Sequence, residues 1–121
     1  MHESRVTAVP ADRTDRLRRL QALFLEDALG EVAELGRILA AASITAPPEA
    51  DDGRARKIAH DLRGTGGSYG FAAVSEAAAV LEDSLLAGWS GARLESLARE
   101  LAVAVYDAHR SFQARTEGGC A

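Results

Sequence analysis

The chain has 121 residues, 47% of them hydrophobic but only 5% aromatic, and a formal net charge of −4. That length suits one domain with a core of its own, without help from metal or disulfides. An acidic balance with no basic tail or long basic stripe excludes a general nucleic-acid binder, and the absence of sustained alternation of apolar and polar residues points to an all-helical fold.

In chain order, Asp12 or Thr14 is placed to cap a first helix with apolar positions Leu17, Leu20 and Phe24. The three-and-four spacing continues through Ala28, Val32, Leu35 and Leu39, but on a different stripe. The sequence therefore predicts a short N-terminal helix leading into a long one, with a bend near residues 20 to 26. Leu17, Leu20, Leu23 and Phe24 are too many apolar residues for one narrow stripe. Core packing is the first expectation for each, and a partner-docking patch is the alternative. Glu26, Asp27, Glu31 and Glu34 make a charged face whose ordinary role is solvation.

Ala46-Pro47-Pro48-Glu49 ends the second helix, because the residue before a proline disfavours the helical region. Asp51 or Asp52 caps the next helix at the positive end of its dipole. On that helix Gly53, Arg56, Lys57, His60, Arg63, Gly64 and Gly67 fall within roughly 60° of one direction, while Ala55, Ile58, Leu62 and Tyr69 point the other way. His60 thus stands at the centre of an outward basic face. Each glycine inside a helix costs on the order of 1 kcal/mol relative to alanine. Gly64 and Gly67, one and two turns beyond His60, would clear space beside the ring, and Gly66 would let a neighbouring helix approach. The alternative is that the helix ends near residue 66 and these glycines form a cap and loop. Gly70 follows as a turn or tight-packing position.

A further helix carries Val74, Ala77, Leu81 and Leu85 and stops at Gly88. Ser90 opens the last, with Leu94, Leu97, Leu101, Val105, Ala108 and Phe112. Amphipathic segments joined by short connections predict an all-α, up-and-down antiparallel four-helix bundle with a short extra N-terminal helix. Residues 1–121 form a single expected domain, with 1–11 and 116–121 as mobile tails. The one cysteine, Cys120, leaves no intramolecular disulfide, which fits a reducing compartment. Met1 to Pro10 has no apolar signal run, and no segment approaches the roughly 18 apolar residues of a membrane span. The expectation is a soluble cytoplasmic protein.

Ala59, His60, Leu62, Arg63, Gly64, Gly67 and Gly70, with Leu81-Glu82 downstream, resemble the histidine-containing phosphotransfer (HPt) domains of bacterial and eukaryotic phosphorelays. Helix order and lengths extend the resemblance across nearly the whole chain. It implies a four-helix bundle in which His60 accepts a phosphoryl group from the aspartate of one receiver domain and passes it to the aspartate of another. The residue chemistry agrees, since imidazole is a good nucleophile near neutral pH and its phosphoramidate bond is energy-rich. Arg63, one turn along the same face, suits the neutralisation of phosphoryl oxygens. Arg56 and Lys57, a turn earlier, would add weaker attraction.

The family usually carries Lys where this chain has Arg63, which exchanges a compact mobile charge for a planar fork and bears on transfer rate or partner choice. Thr65 stands where Ser or Ala is commoner. The implied partners are response-regulator receiver domains and hybrid histidine kinases, with no nucleic acid and no membrane, and the chain is expected to be a monomer. No phosphate-binding glycine loop or nucleotide-binding box is present, so the protein is expected to be a phosphocarrier without kinase activity. No cofactor or metal is expected on this chain; Mg²⁺ belongs to the receiver.

The main rival is a non-catalytic four-helix docking module that binds or inhibits a kinase or receiver domain, although pure docking would not need a nucleophile. A general-base enzyme is disfavoured because no partner carboxylate shares the His60 face, Asp61 lying about 100° around the helix. His109, beside Tyr106 and Phe112, reads as a partly buried or surface histidine. With His2 near the terminus, the three histidines have no metal-ligand spacing.

Overall fold

A computed structural model describes the backbone of residues 2–44, 49–89 and 91–118, and the side chains of 13–41, 53–89 and 91–116. Four helices fill it: α1 His2–Ile44, α2 Glu49–Ser68, α3 Ala72–Leu86 and α4 Ala92–Gly118, with no strand among the described residues. The proline pair at 47–48, Ser90 and Cys120 lie outside the described residues, as do the side chains of 1–12, Asp51, Asp52 and 117–121; of the two expected tails, the backbone of 2–11 continues α1 and that of 116–118 continues α4.

The expected short N-terminal helix followed by a bend is replaced by one continuous element, α1. From Thr14 to Leu29 the sequence holds neither proline nor glycine, so nothing interrupts the hydrogen-bond ladder. The shift in apolar stripe has another cause. At 43 residues α1 is roughly 64 Å long, against roughly 22 Å for α3, and it outruns the end of α2, where Gln21 Nε2 donates to the Tyr69 carbonyl at 3.0 Å. Leu17, Leu20 and Leu23 are therefore exposed rather than in the core, and burial begins at Phe24.

Behind that point the core follows the predicted spacing. Ala28, Val32, Leu35 and Leu39 of α1 are buried, joined by Leu25. They meet Ala55, Ile58, Ala59 and Leu62 of α2, Val74, Ala78, Leu81 and Leu85 of α3, and Leu94, Ala98, Leu101, Val105 and Phe112 of α4. Fully burying a side chain such as Leu25, Ile58 or Leu101 stabilises by about 1.5–3 kcal/mol. Contacts run α1 to α2, α2 to α3, α3 to α4 and α4 back to α1, which closes a ring around this core. None of the described helices is long and apolar enough to cross a membrane.

Helices α2 and α3 stop in the same way. At the end of α2 the Phe71 N–H bonds the Gly66 carbonyl at 2.8 Å and the Gly70 N–H bonds that of Gly67 at 3.2 Å, with Gly70 at φ +86°. At the end of α3 the Trp89 N–H bonds Ser84 and the Gly88 N–H bonds Leu85, with Gly88 at φ +85°. Both are Schellman motifs with the glycine in the left-handed position after the helix.

Candidate functional site

The Schellman motif at Gly70 settles how the glycines of α2 are used. The helix does not end near residue 66; it runs through Gly64, Gly66 and Gly67 to Ser68. A Cβ at Gly66 would lie 3.3 Å from the Val74 side chain and 3.4 Å from the Ser75 backbone nitrogen, so Gly66 is where α3 closes on α2. A Cβ at Gly64 would meet nothing within 4 Å, which leaves open space one turn from His60. Gly67 differs from expectation. A Cβ there would touch Ser75 Oγ at 3.4 Å, so this glycine faces α3 rather than clearing the ring. The same hydroxyl donates to the Arg63 carbonyl at 2.7 Å, which places Ser75 over this turn of α2.

Ala55, Ile58, Ala59 and Leu62 seat α2 in the core and turn His60 outward, with 70% of its side chain exposed. The ring is nevertheless held. Its Nδ1 lies 2.8 Å from Oε2 of Glu82 on α3, and the other oxygen, Oε1, accepts from Arg63 NH1 at 3.2 Å. Arg63 NH1 also approaches Asp83 Oδ1 at 3.7 Å. Burial raises the Glu82 carboxyl, but the hydrogen bonds from His60 and Arg63, with their charges, outweigh it and hold the group below the ordinary carboxylate range. Glu82 is therefore an ionised acceptor. A carboxylate only accepts, so Nδ1 carries the ring proton, and in the neutral imidazole the lone pair sits on Nε2.

Around this pair the site is shallow. Gly53, Arg56, Lys57, Asp61 and Glu82 share one depression with His60, and Asp61, Gly64, Thr65, Ser68 and Tyr69 share another. Lys57 leans on Asp61 at 3.4 Å, one turn along, while Arg56 lines the His60 depression. The predicted basic face thus comes together as His60, Arg63, Arg56 and Lys57, but two of its cations are engaged by carboxylates.

The acidic face of α1 does more than meet solvent. Glu34 takes Arg54 in a two-pronged pair, 2.8 Å at each oxygen, whose hydrogen bonding lowers its pKa. Glu31 is partly buried beside Asp61 and Asp27; burial first, then those charges, raises its carboxyl. His109, only 21% exposed, reaches Glu26 with Nε2 at 3.0 Å and ties α4 to α1. Histidine, cysteine, aspartate and glutamate nowhere gather in threes suited to a metal among the described residues.

Glu82 and Asp83 are the site residues that the helical wheel of α2 could not supply, because they belong to α3. A signal was present: Glu82 falls on the stripe of Ala78, Leu81 and Leu85, where an acidic residue needs a partner to be buried. A family model, Hpt domain, matches residues 19–113, most of the chain and all of the site. Neither a curated protein nor a solved structure matches.

Proposed function

The chain belongs to the Hpt domain family, and on that premise we propose that it is a histidine phosphotransfer protein of a two-component phosphorelay. Hpt domains carry phosphoryl groups between kinase and receiver domains without catalytic activity of their own. In this reading His60 takes the group from the aspartyl phosphate of one receiver and yields it to the aspartate of the next. The observation that carries it is an exposed imidazole fixed at Nδ1 by an ionised carboxylate, which leaves Nε2 as the nucleophilic nitrogen, with open space at Gly64.

The chemistry balances on these groups. As the P–N bond forms at Nε2, the P–O bond of the donor breaks and its electron pair stays on the donor's carboxylate. The Nδ1 proton remains on the ring, whose new positive charge faces Glu82 at 2.8 Å. Arg63, joined to His60 through Glu82, is the cation placed for the phosphoryl oxygens, with Arg56 and Lys57 adding to the field. Mg²⁺ would be supplied by the receiver.

Receivers and hybrid histidine kinases are the partners, and the chain acts as a monomer in the cytoplasm. A receiver would seat on the His60 depressions and on the leucines of α1, since Gln21 joins that part of α1 to Tyr69, about two turns from His60 along α2. The ring of helices is an up-and-down antiparallel bundle. In support, Glu34 meets Arg54 while Gln21 meets Tyr69, and His60 meets Glu82 while Arg63 meets Ser75, so partners run in opposite order.

The test is incubation with phosphorylated receiver domains, followed by a search for acid-labile, base-stable label. Label is expected on His60 and absent from His60→Gln, whose circular dichroism should be unchanged because the ring is exposed. Binding without label from any competent donor would instead make the protein a docking module that occupies kinase or receiver domains.

A further inference from the structure

Arg63 is placed to serve the phosphoryl group, yet its NH1 is already committed to two carboxylates, Glu82 at 3.2 Å and Asp83 at 3.7 Å. Glu82 is also engaged by His60, through its other oxygen. Asp83 has no such second duty at the ring, and its side chain is 69% exposed. Carboxylate and phosphoryl oxygens suit the same guanidinium fork and compete for it. A phosphoryl group arriving on His60 also adds negative charge beside two carboxylates that share one arginine.

We infer that Asp83 is a positioning residue that holds Arg63 back from the phosphoryl group, so that phospho-His60 stays high in energy and ready to pass its group on. The inference rests on the phosphocarrier reading and names how the chain sets the direction of transfer. Without Asp83, Arg63 turns more fully to the phosphoryl oxygens and the P–N bond is retained longer. In the loss reaction that bond breaks with its electron pair returning to Nε2, and water or the receiver's aspartate takes up the phosphoryl group.

Phosphoramidate, a small chemical donor, labels exposed histidines without any receiver, so decay of label at His60, located by mass spectrometry, can be followed in the full chain. Asp83→Asn is expected to lengthen that half-life about twofold to fivefold, the range for an exposed ion pair, and to shift equilibrium with a phosphorylated receiver toward phospho-His60 by a similar factor. Asp83→Glu should restore wild-type values. In an Arg63→Gln background, Asp83→Asn should change neither quantity.

Unchanged half-life and equilibrium in a correctly folded Asp83→Asn variant would overturn the inference. So would an equal shift with Arg63→Gln present, because the charge would then act without the arginine. Wild-type protein labelled by phosphoramidate but by no receiver would sink the relay reading alone, leaving the half-lives to judge Asp83. A His60 that takes label from neither source overturns both.

Discussion

Glu82 shows how one side chain can be both core and site. It continues the apolar stripe of α3, and its ionised form survives there only because His60 and Arg63 bond its two oxygens. Glu82→Gln keeps the shape and an acceptor oxygen for Nδ1 but removes the charge that faces the phosphorylated ring. Phosphoryl acceptance by His60 should slow about tenfold, the equivalent of a charge-assisted hydrogen bond reduced to a neutral one. The stability consequence has a definite sign. A carboxyl held below its ordinary 4.5 adds stability that is present above that pH and lost as pH falls through the lowered value. Urea unfolding of wild type and Glu82→Gln should differ fully above pH 4.5, with the gap closing in more acid solution. A gap constant from neutral to strongly acid pH would show that Glu82 is not the ionised group described here.

The glycines of α2 separate stability from function within one element. Gly66→Ala gains about 1 kcal/mol of helix propensity, but its methyl meets Val74 at 3.3 Å and the Ser75 backbone nitrogen at 3.4 Å. The Val74 side chain must give way by a few tenths of an ångström, which offsets that gain, so Gly66→Ala should be less stable than the alanine variant at Gly64. Gly64→Ala meets nothing and should stabilise by up to about 1 kcal/mol. A bulky residue at 64 should leave urea unfolding little changed while blocking receiver docking. If Gly66→Ala proves the more stable of the two alanine variants, the close approach of α2 and α3 is wrong. Much of this was legible in the sequence. The placing of Ala55, Ile58 and Leu62 opposite His60 follows from helical spacing alone, as does the close-packing role of Gly66. Gly67 was misread because a wheel shows direction on one helix and not that Ser75 of another lies across it. The unity of α1 was hidden for a related reason. Leu17 and Leu20 look like core by spacing, but whether a stripe is buried depends on how far the partner helices reach.

For the whole molecule, the ring of helices was readable from apolar spacing and short connections, whereas the clamp at its end was not, because it is built from contacts distant in sequence. Phe71, in the turn between α2 and α3, stacks on Phe24 of α1 at 5.7 Å and meets Phe112 of α4 edge-on at 6.4 Å, while Phe24 also packs on Tyr69. One aromatic cluster thus joins α1, α4 and the α2–α3 turn, in a chain with few aromatic residues elsewhere. Offset and edge-on ring pairs add about 0.5–1.5 kcal/mol to the burial of the rings themselves. Phe71→Ala should therefore cost about 3–5 kcal/mol, a large part of the stability of a domain this size. His60 lies about three helical turns in sequence from Phe71, and its ring is held through Nδ1 by Glu82, which is in turn bonded by Arg63. The fraction of Phe71→Ala that remains folded should then accept phosphoryl groups at the wild-type rate per folded molecule, measured by label on His60 alongside urea unfolding. A variant that keeps its stability would remove the clamp from the fold. One that stays folded but loses acceptance would show that the aromatic end and the His60 site are coupled, with the α2–α3 turn as the element that joins them.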